Sequence, residues 1–327
     1  MFRFFDEASY DFLGMKKKAF VIAFAFMVPG LLFFLVRPVN LSIEFTGGTF
    51  AEVRSSDPNI TTEDVRNALN AVGLGGAEIS LFGAETEFAI RARLESSEEG
   101  AEETTQQTAD AIERALTDSF GQDVVEIVRT EAIGPKVGGE LRQKALLAIL
   151  LGFLAIFIYL SMRMEWRFAI AAVAATIHDI LSSWALVSYL NIEVSLAVAT
   201  ALLFIVGYSV NDTIVTFDRV RENLHRFKRN DLYQLLNKSI NETLPRTVLT
   251  SGTTIVATLA LVFLGGEVLR GFALVMTFGV ITGTFSSIFI ASPLLHTVEQ
   301  RWPGRDVHGV KAMADGTTVV RTGGAEG

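Results

Sequence analysis

The stretch GYSVNDTIVTFD at 207–218 places a carboxylate, Asp212, directly after Asn211 in a run that is otherwise uncharged from Leu196 to Phe217. Two more ionisable groups stand in or at the edge of apolar runs: Asp179, which follows His178, and Arg246, which follows Pro245. A charge at the centre of a bilayer costs at least ~2.5–3.5 kcal/mol, so each one needs a partner or a task. The chemistry open to them is that of a proton or ion relay. Desolvation favours the neutral form of a carboxylate, and a nearby arginine, which stays charged, favours the ionised form. An Asp–Arg pair of variable separation is therefore a two-state proton switch. Structural readings stand beside this one. Asp212 can serve as an acceptor that joins helices, Arg246 can snorkel to the inner headgroups, and His178 can be a satisfied interior histidine.

Helical spacing extends each site. Tyr208, Ser209 and Thr216 lie three or four residues from Asp212, and Thr213 adjoins it. Thr176, Ser182 and Ser183 hold the same offsets from Asp179, while Arg246, Thr250, Thr254 and Thr258 repeat every fourth residue. Three helices thus each carry a hydrophilic stripe, expected to turn toward the others and away from lipid. On this reading Asp212, Arg246 and Asp179 form the proton pathway, supported by Asn211, Thr213, Ser209, His178, Thr250 and Thr254. Asp212 lies five residues, roughly 8 Å, inside Phe217, whereas Arg246 sits at the edge of its run. The pair meets only if the helix of Arg246 starts deeper than its hydropathy indicates, or if Arg246 reaches inward.

The elements that must position these residues are transmembrane helices. Half of the 327 residues are hydrophobic and 25 are Phe; the mean hydropathy is +0.39, which points to the membrane class. Six segments are apolar over roughly 18–24 residues, enough to cross a ~30 Å hydrocarbon layer: 19–36, 145–162, 168–190, 196–217, 247–264 and 272–295. The first lacks a small-residue cleavage site before Arg37 and reads as a retained anchor. Lys and Arg cluster before the first segment, between the second and third, and between the fourth and fifth. The loop at 191–195 has none, and that at 265–271 has only Arg270. Both termini are therefore expected in the cytoplasm and residues 37–140 outside.

Residues 37–140 carry a net charge of −12 against −8 for the whole chain. The membrane part and tails are thus basic, as suits an inner surface facing anionic lipid. The outside segment reads as strand 41–54, helix 62–72, strand 77–82, strand 86–94, helix 101–120 and strand 124–132. The order βαββαβ is that of a ferredoxin-like α+β domain. The acidic run 95–103 reads as a solvated loop or frayed helix start. Gly279 and Gly283 have small-xxx-small spacing and predict a helix contact. Leu232, Leu235, Leu236, Ile240 and Leu244 predict an amphipathic helix along the inner surface. The domain plan is a cytoplasmic segment 1–18, the first span, the outside domain 37–140, a five-helix region 141–295 and a cytoplasmic tail 296–327 that reads as disordered.

There are no cysteines, which excludes disulfides, thiol chemistry and Cys-type zinc sites. The four histidines show no paired ligand spacing, so no metal or cofactor is expected. No catalytic constellation appears and an enzyme is not expected. The basic string at 218–229 reads as membrane topology rather than nucleic-acid binding.

GYSVNDTIVTFDRVREN at 207–223 resembles the signature of the SecF family of bacterial protein-export membrane subunits. Further matching motifs are IEFTGGTF at 43–50, IGPKVGGEL at 133–141 and INETLPRTVLTSGTT at 240–254. The family often has Gly-Ile-Asp where this chain has Ser42-Ile43-Glu44. The resemblance implies membership of the SecD/SecF family within the resistance-nodulation-division superfamily. It implies a SecD-like partner subunit, the SecYEG channel and other Sec accessory membrane proteins as associates, and use of the proton-motive force to assist late preprotein translocation at the bacterial cytoplasmic (inner) membrane. It also implies functional roles in the proton pathway for Asp212 and Arg246, with Asp179 matching a His-Asp pair of the third helix. The alternative is a proton-driven half-transporter of the same superfamily that exports lipid or small molecules.

Overall fold

The computed structural model describes residues 9–92, 101–227, 231–302, 310–312 and 318–320. The N-terminal residues 1–8, most of the acidic run at 95–100, and Lys228 and Arg229 of the basic string lie outside the described residues.

After α1 (Lys16–Phe33) the chain forms a short α2 (Ile43–Thr46), β1 (Gly48–Ser55), α3 (Thr62–Asn70), β2 (Glu78–Phe82), β3 (Ala84–Ala92), α4 (Ala101–Phe120) and β4 (Val125–Ile133). The strands build one antiparallel sheet in the order β2-β3-β1-β4. Its buried face holds Val53, Phe88 and Ile90 against Val65 and Leu69 of α3 and Ile112 and Leu116 of α4. The start of α3 is fixed by a capping box. Thr61 accepts from the Asp64 N–H, and the Asp64 carboxylate accepts from the Thr61 N–H.

One strand begins later than its sequence indicates. Residues 43–46 are not extended: the Ser42 carbonyl accepts from the Phe45 and Thr46 N–H groups, making the turn of α2. Gly47, at φ +77°, reverses the chain into β1. A β-carbon on Gly47 would lie 2.5 Å from Pro135 Cα, and one on Gly138 would lie 2.8 Å from the Gly47 nitrogen. The Gly-Gly segment and the IGPKVGG segment therefore fit backbone to backbone.

Beyond the sheet follow α5 (Pro135–Arg163), α6 (Trp166–Leu190), α7 (Leu196–Arg226), α8 (Leu232–Leu264), α9 (Gly266–Ser286), a π-helical turn (Ser287–Ala291) and α10 (Ser292–Arg301). Five helical stretches are long and apolar enough to cross a membrane: α5, α6, α7, α8 and the continuous α9–α10. The helix α1 opens on Lys16, Lys17 and Lys18, which lowers the hydropathy of its 18 residues.

Two of these helices outrun their apolar cores. The second apolar segment is the later part of a 29-residue helix, and the fourth continues to Arg226. The residues expected to form a separate surface helix instead begin α8, which passes through Pro245 without ending. Leu235, Leu236, Ile240 and Leu244 are buried with Phe12, Leu13, Val220 and Leu295, so this face packs on protein rather than on lipid headgroups. Asn237 and Asn241 on α8 secure the N-terminal segment by bonding the backbone at Leu13 and Tyr10. Within the tail, for which disorder was expected, α10 continues to Arg301, and β5 (Val310–Ala312) and β6 (Thr318–Val320) pair as a short antiparallel hairpin; residues 303–309, 313–317 and 321–327 lie outside the described residues.

Candidate functional site

Along α7, Val198, Ala201, Leu202 and Ile205 enter one apolar core, while Val210, Phe217 and Val220 enter another. Between and beside them lies a buried polar row: Ser209, Asp212, Thr213 and Thr216. Close approach of α9 makes this layer possible. A β-carbon on Gly279 would fall 2.2 Å from the Ile205 side chain, and one on Gly283 would lie 3.3 Å from Ser209 Cβ. These glycines form the helix contact that their spacing indicates.

Asp179 is the hub. It is fully buried, and its Oδ2 accepts hydrogen bonds from Ser209 Oγ of α7 at 2.5 Å and Ser286 Oγ of α9 at 2.6 Å. Its Oδ1 lies 3.0 Å from His178 Nδ1, and His178 Nε2 lies 3.2 Å from Ser182 Oγ. Ser183 donates to the Asp179 backbone carbonyl at 2.8 Å. Three helices thus share one carboxylate, immediately before the π-helical turn at Ser287. Such turns recur at functional sites.

Asp212 is placed differently. It is buried, yet its nearest donor is Thr247 Oγ1 of α8, 3.5 Å from Oδ1. Among the described residues, neither its Oδ2 nor the Thr213 hydroxyl has a hydrogen-bond partner. An unmatched buried polar atom costs about 1–3 kcal/mol, which makes this pair of orphans notable. Arg246, the residue before Thr247, is exposed and makes no ion pair with Asp212 among the described contacts.

The hydrophilic stripe of α8 does not turn inward as a whole. Arg246 and Thr250 are exposed, Thr254 is half-buried and Thr258 is buried. An every-fourth row advances about 400° per step and so drifts some 40° around the helix each time. The row that faces α7 and α9 is instead Thr247, Ser251 and Thr258. Ser251 lies 2.6 Å from Thr284 Oγ1 of α9 and accepts from Tyr208 at 3.4 Å. The hydroxyls of Thr250, Thr254 and Thr258 bond the carbonyl four residues back, which satisfies them without neighbours. Asn211 is also exposed.

Ser286, Thr247, Ser251 and Thr284 were missed by reasoning from sequence. Ser286 stands three residues after Gly283, on the face that the small-residue spacing marks as a contact. Among the described residues no group of three or more His, Cys, Asp or Glu could hold a metal ion.

Buried carboxylates shared between long apolar helices, with a small antiparallel-sheet domain inserted after the first helix, define a polytopic helical membrane protein with a polar intramembrane centre. Comparison with known proteins gives the class its family. Residues 111–301 match the family described as "Protein export membrane protein SecD/SecF, C-terminal", and residues 32–58 match the "SecD/SecF GG Motif". The chain is 48% identical to "Protein translocase subunit SecF" of Gemmatimonas aurantiaca, covering 98% of each chain. It is 40% identical to the protein of the same name from Desulfurispirillum indicum, covering 87% of this chain and 90% of that one. Among solved structures it is similar to SecDF from Thermus thermophilus, described as a translocon-associated membrane protein. The TM-score is 0.79 at 35% identity, over 91% of this chain but only 39% of that one. The chain belongs to the SecF family of protein translocase subunits.

Proposed function

We propose that this protein is a non-enzymatic subunit that uses the proton-motive force to assist late preprotein translocation through the Sec channel. The observation that carries the reading is Asp212, a buried carboxylate with one unpartnered oxygen and a charged Arg246 near it but out of contact. Ionised, Asp212 attracts Arg246 and draws α7 and α8 together. Neutral, it releases that attraction, and the packing of α7 on α8 and α9 relaxes. Asp179, held by hydroxyls of α7 and α9, joins the same pathway from α6.

The partner is a SecD-like subunit, and the exposed polar residues Arg246, Thr250 and Asn211 are the surface it covers. The similarity to a SecDF chain more than twice as long supports this assignment. SecYEG, other Sec accessory membrane proteins and the translocating preprotein complete the assembly. The protein spans the bacterial cytoplasmic membrane six times, α1 being the first span, with both termini inside. The region 37–140 outside is a ferredoxin-like domain, a reading supported by the βαββαβ order and the strand order β4-β1-β3-β2. The test is preprotein export with and without a proton gradient in membranes carrying Asp212→Asn or Arg246→Met. Both variants should insert normally and lose the gradient-dependent stimulation.

A further inference from the structure

Asn40, Ser42, Glu44 and Arg91 converge on one short turn, residues 191–195, from which α7 starts. The Val194 N–H donates to the Asn40 carbonyl at 2.8 Å and the Ser42 N–H donates to the Val194 carbonyl at 3.1 Å, pairing Leu41 with Val194 in parallel. Glu44 Oε2 accepts the N–H of Leu196, the first residue of α7, at 2.5 Å. A carboxylate is favoured there by the helix dipole. Ser195 fills the next capping position by accepting from the Val198 N–H at 3.3 Å. On the other side Arg91 of β3 grips Glu193 with two guanidinium nitrogens, Nε at 2.9 Å from Oε1 and Nη2 on Oε2. Both side chains are partly shielded, and the Arg91 guanidinium lies 5.5 Å from the centre of the Phe50 ring. Two-point Arg–carboxylate contacts fix orientation as well as distance.

The helix so held carries the intramembrane carboxylate. It runs unbroken and without proline from Leu196 to Arg226, and Asp212 stands sixteen residues, about 24 Å, along it. Chain connectivity alone would tether the outer domain to α1 and α5. The contacts give it a third attachment, on the helix whose packing the charge of Asp212 controls.

We infer that Glu44, Arg91 and Glu193 are positioning residues that dock the outer domain on the outer end of α7, so that the domain and α7 move as one body. The inference rests on the proton-coupled reading above. Movement of α7 then reaches the domain directly through its first turn.

The test uses the full chain assembled with its partner subunit in native membranes, reading gradient-driven proton flux and the stimulation of preprotein export separately. Arg91→Glu should keep proton flux but lower the stimulation at least about fivefold, the lower end of typical coupling between sites. The exchange Arg91→Glu/Glu193→Arg should restore it. Because the chain has no cysteine, Leu41→Cys/Val194→Cys can form a single disulfide, and its oxidation should leave the stimulation intact. Undiminished stimulation in Arg91→Glu, a loss that the exchange fails to rescue, or arrest on oxidation of the cysteine pair would each overturn the inference. Stimulation that survives Asp212→Asn would count against the proton-coupled reading instead.

Discussion

Ser209 of α7 donates a 2.5 Å hydrogen bond to Asp179 of α6, three residues before Asp212 on the same helix. A slide or rotation of α7 that follows a change of charge at Asp212 must strain this bond. Ser286 of α9 reaches the same Asp179 oxygen, so the three helices are latched at one atom. The latch and the partnerless Asp212 oxygen lie one helical turn apart, which couples a stable junction to an unsatisfied one.

Removing one donor tests the latch. Ser286→Ala or Ser209→Ala leaves Asp179 Oδ2 with a single hydroxyl, at an expected cost of about 1–3 kcal/mol. Thermal unfolding in detergent should show a lower midpoint for each variant and a lower one still for the double variant. Unchanged midpoints would mean that the carboxylate is not stabilised by these hydroxyls.

Gly279 sets the distance between α9 and α7. A β-carbon there meets Ile205 at 2.2 Å, so Gly279→Ala should cost about 1–3 kcal/mol by overpacking. Trimming the neighbour should relieve it: Gly279→Ala/Ile205→Ala, which removes both close γ- and δ-carbons, should be more stable than the sum of the two single effects, measured by the same unfolding assay.

Much of this arrangement is legible in the sequence, because its signals are local. The helix 101–120 and the start of α7 at Leu196 follow from periodicity and apolar runs. Gly279 and Gly283 announce their contact through their spacing. What is missed is non-local or depends on accumulated angle. Arg246, Thr250 and Thr254 look equivalent in a list of every fourth residue, yet the drift of that row turns the first two outward and brings Thr247 and Ser251 in. Residues 43–46 read as strand because β-branched and aromatic residues surround them. Helix wins because Ser42 and the positive φ of Gly47 close a single turn. Glu44 could not be connected with Leu196 at all, since 152 residues separate them.

The Gly-Gly turn offers an internally controlled comparison. Gly47 and Gly73 both adopt positive φ, near +80°, but only Gly47 is pressed against Pro135 backbone. Gly73→Ala should cost about 1–2 kcal/mol for its backbone conformation alone. Gly47→Ala should cost more and loosen the junction of α2 with α5, seen as faster protease cleavage in the region 37–140. Equal effects would dismiss the contact.

Acid should weaken the start of α3. The Thr61 hydroxyl, and then the Thr61 N–H, hold the Asp64 carboxyl below its ordinary value of 3.8. A lowered value means that the capping contribution is complete above 3.8 and is lost as pH falls through the lowered value. Amide exchange in α3 should therefore lose protection in that acid range. Thr61→Ala should shrink the pH effect and reduce protection at neutral pH by about 1 kcal/mol.

On the proposed mechanism Asp212 carries the protons whose passage drives export. This is tested most directly by measuring proton flux and preprotein export together, under an imposed gradient, in membranes containing wild-type protein or Asp212→Asn at equal abundance. The variant should lose both the flux and the gradient-dependent part of export, while gradient-independent export persists. Full gradient-dependent export by Asp212→Asn would contradict this mechanism.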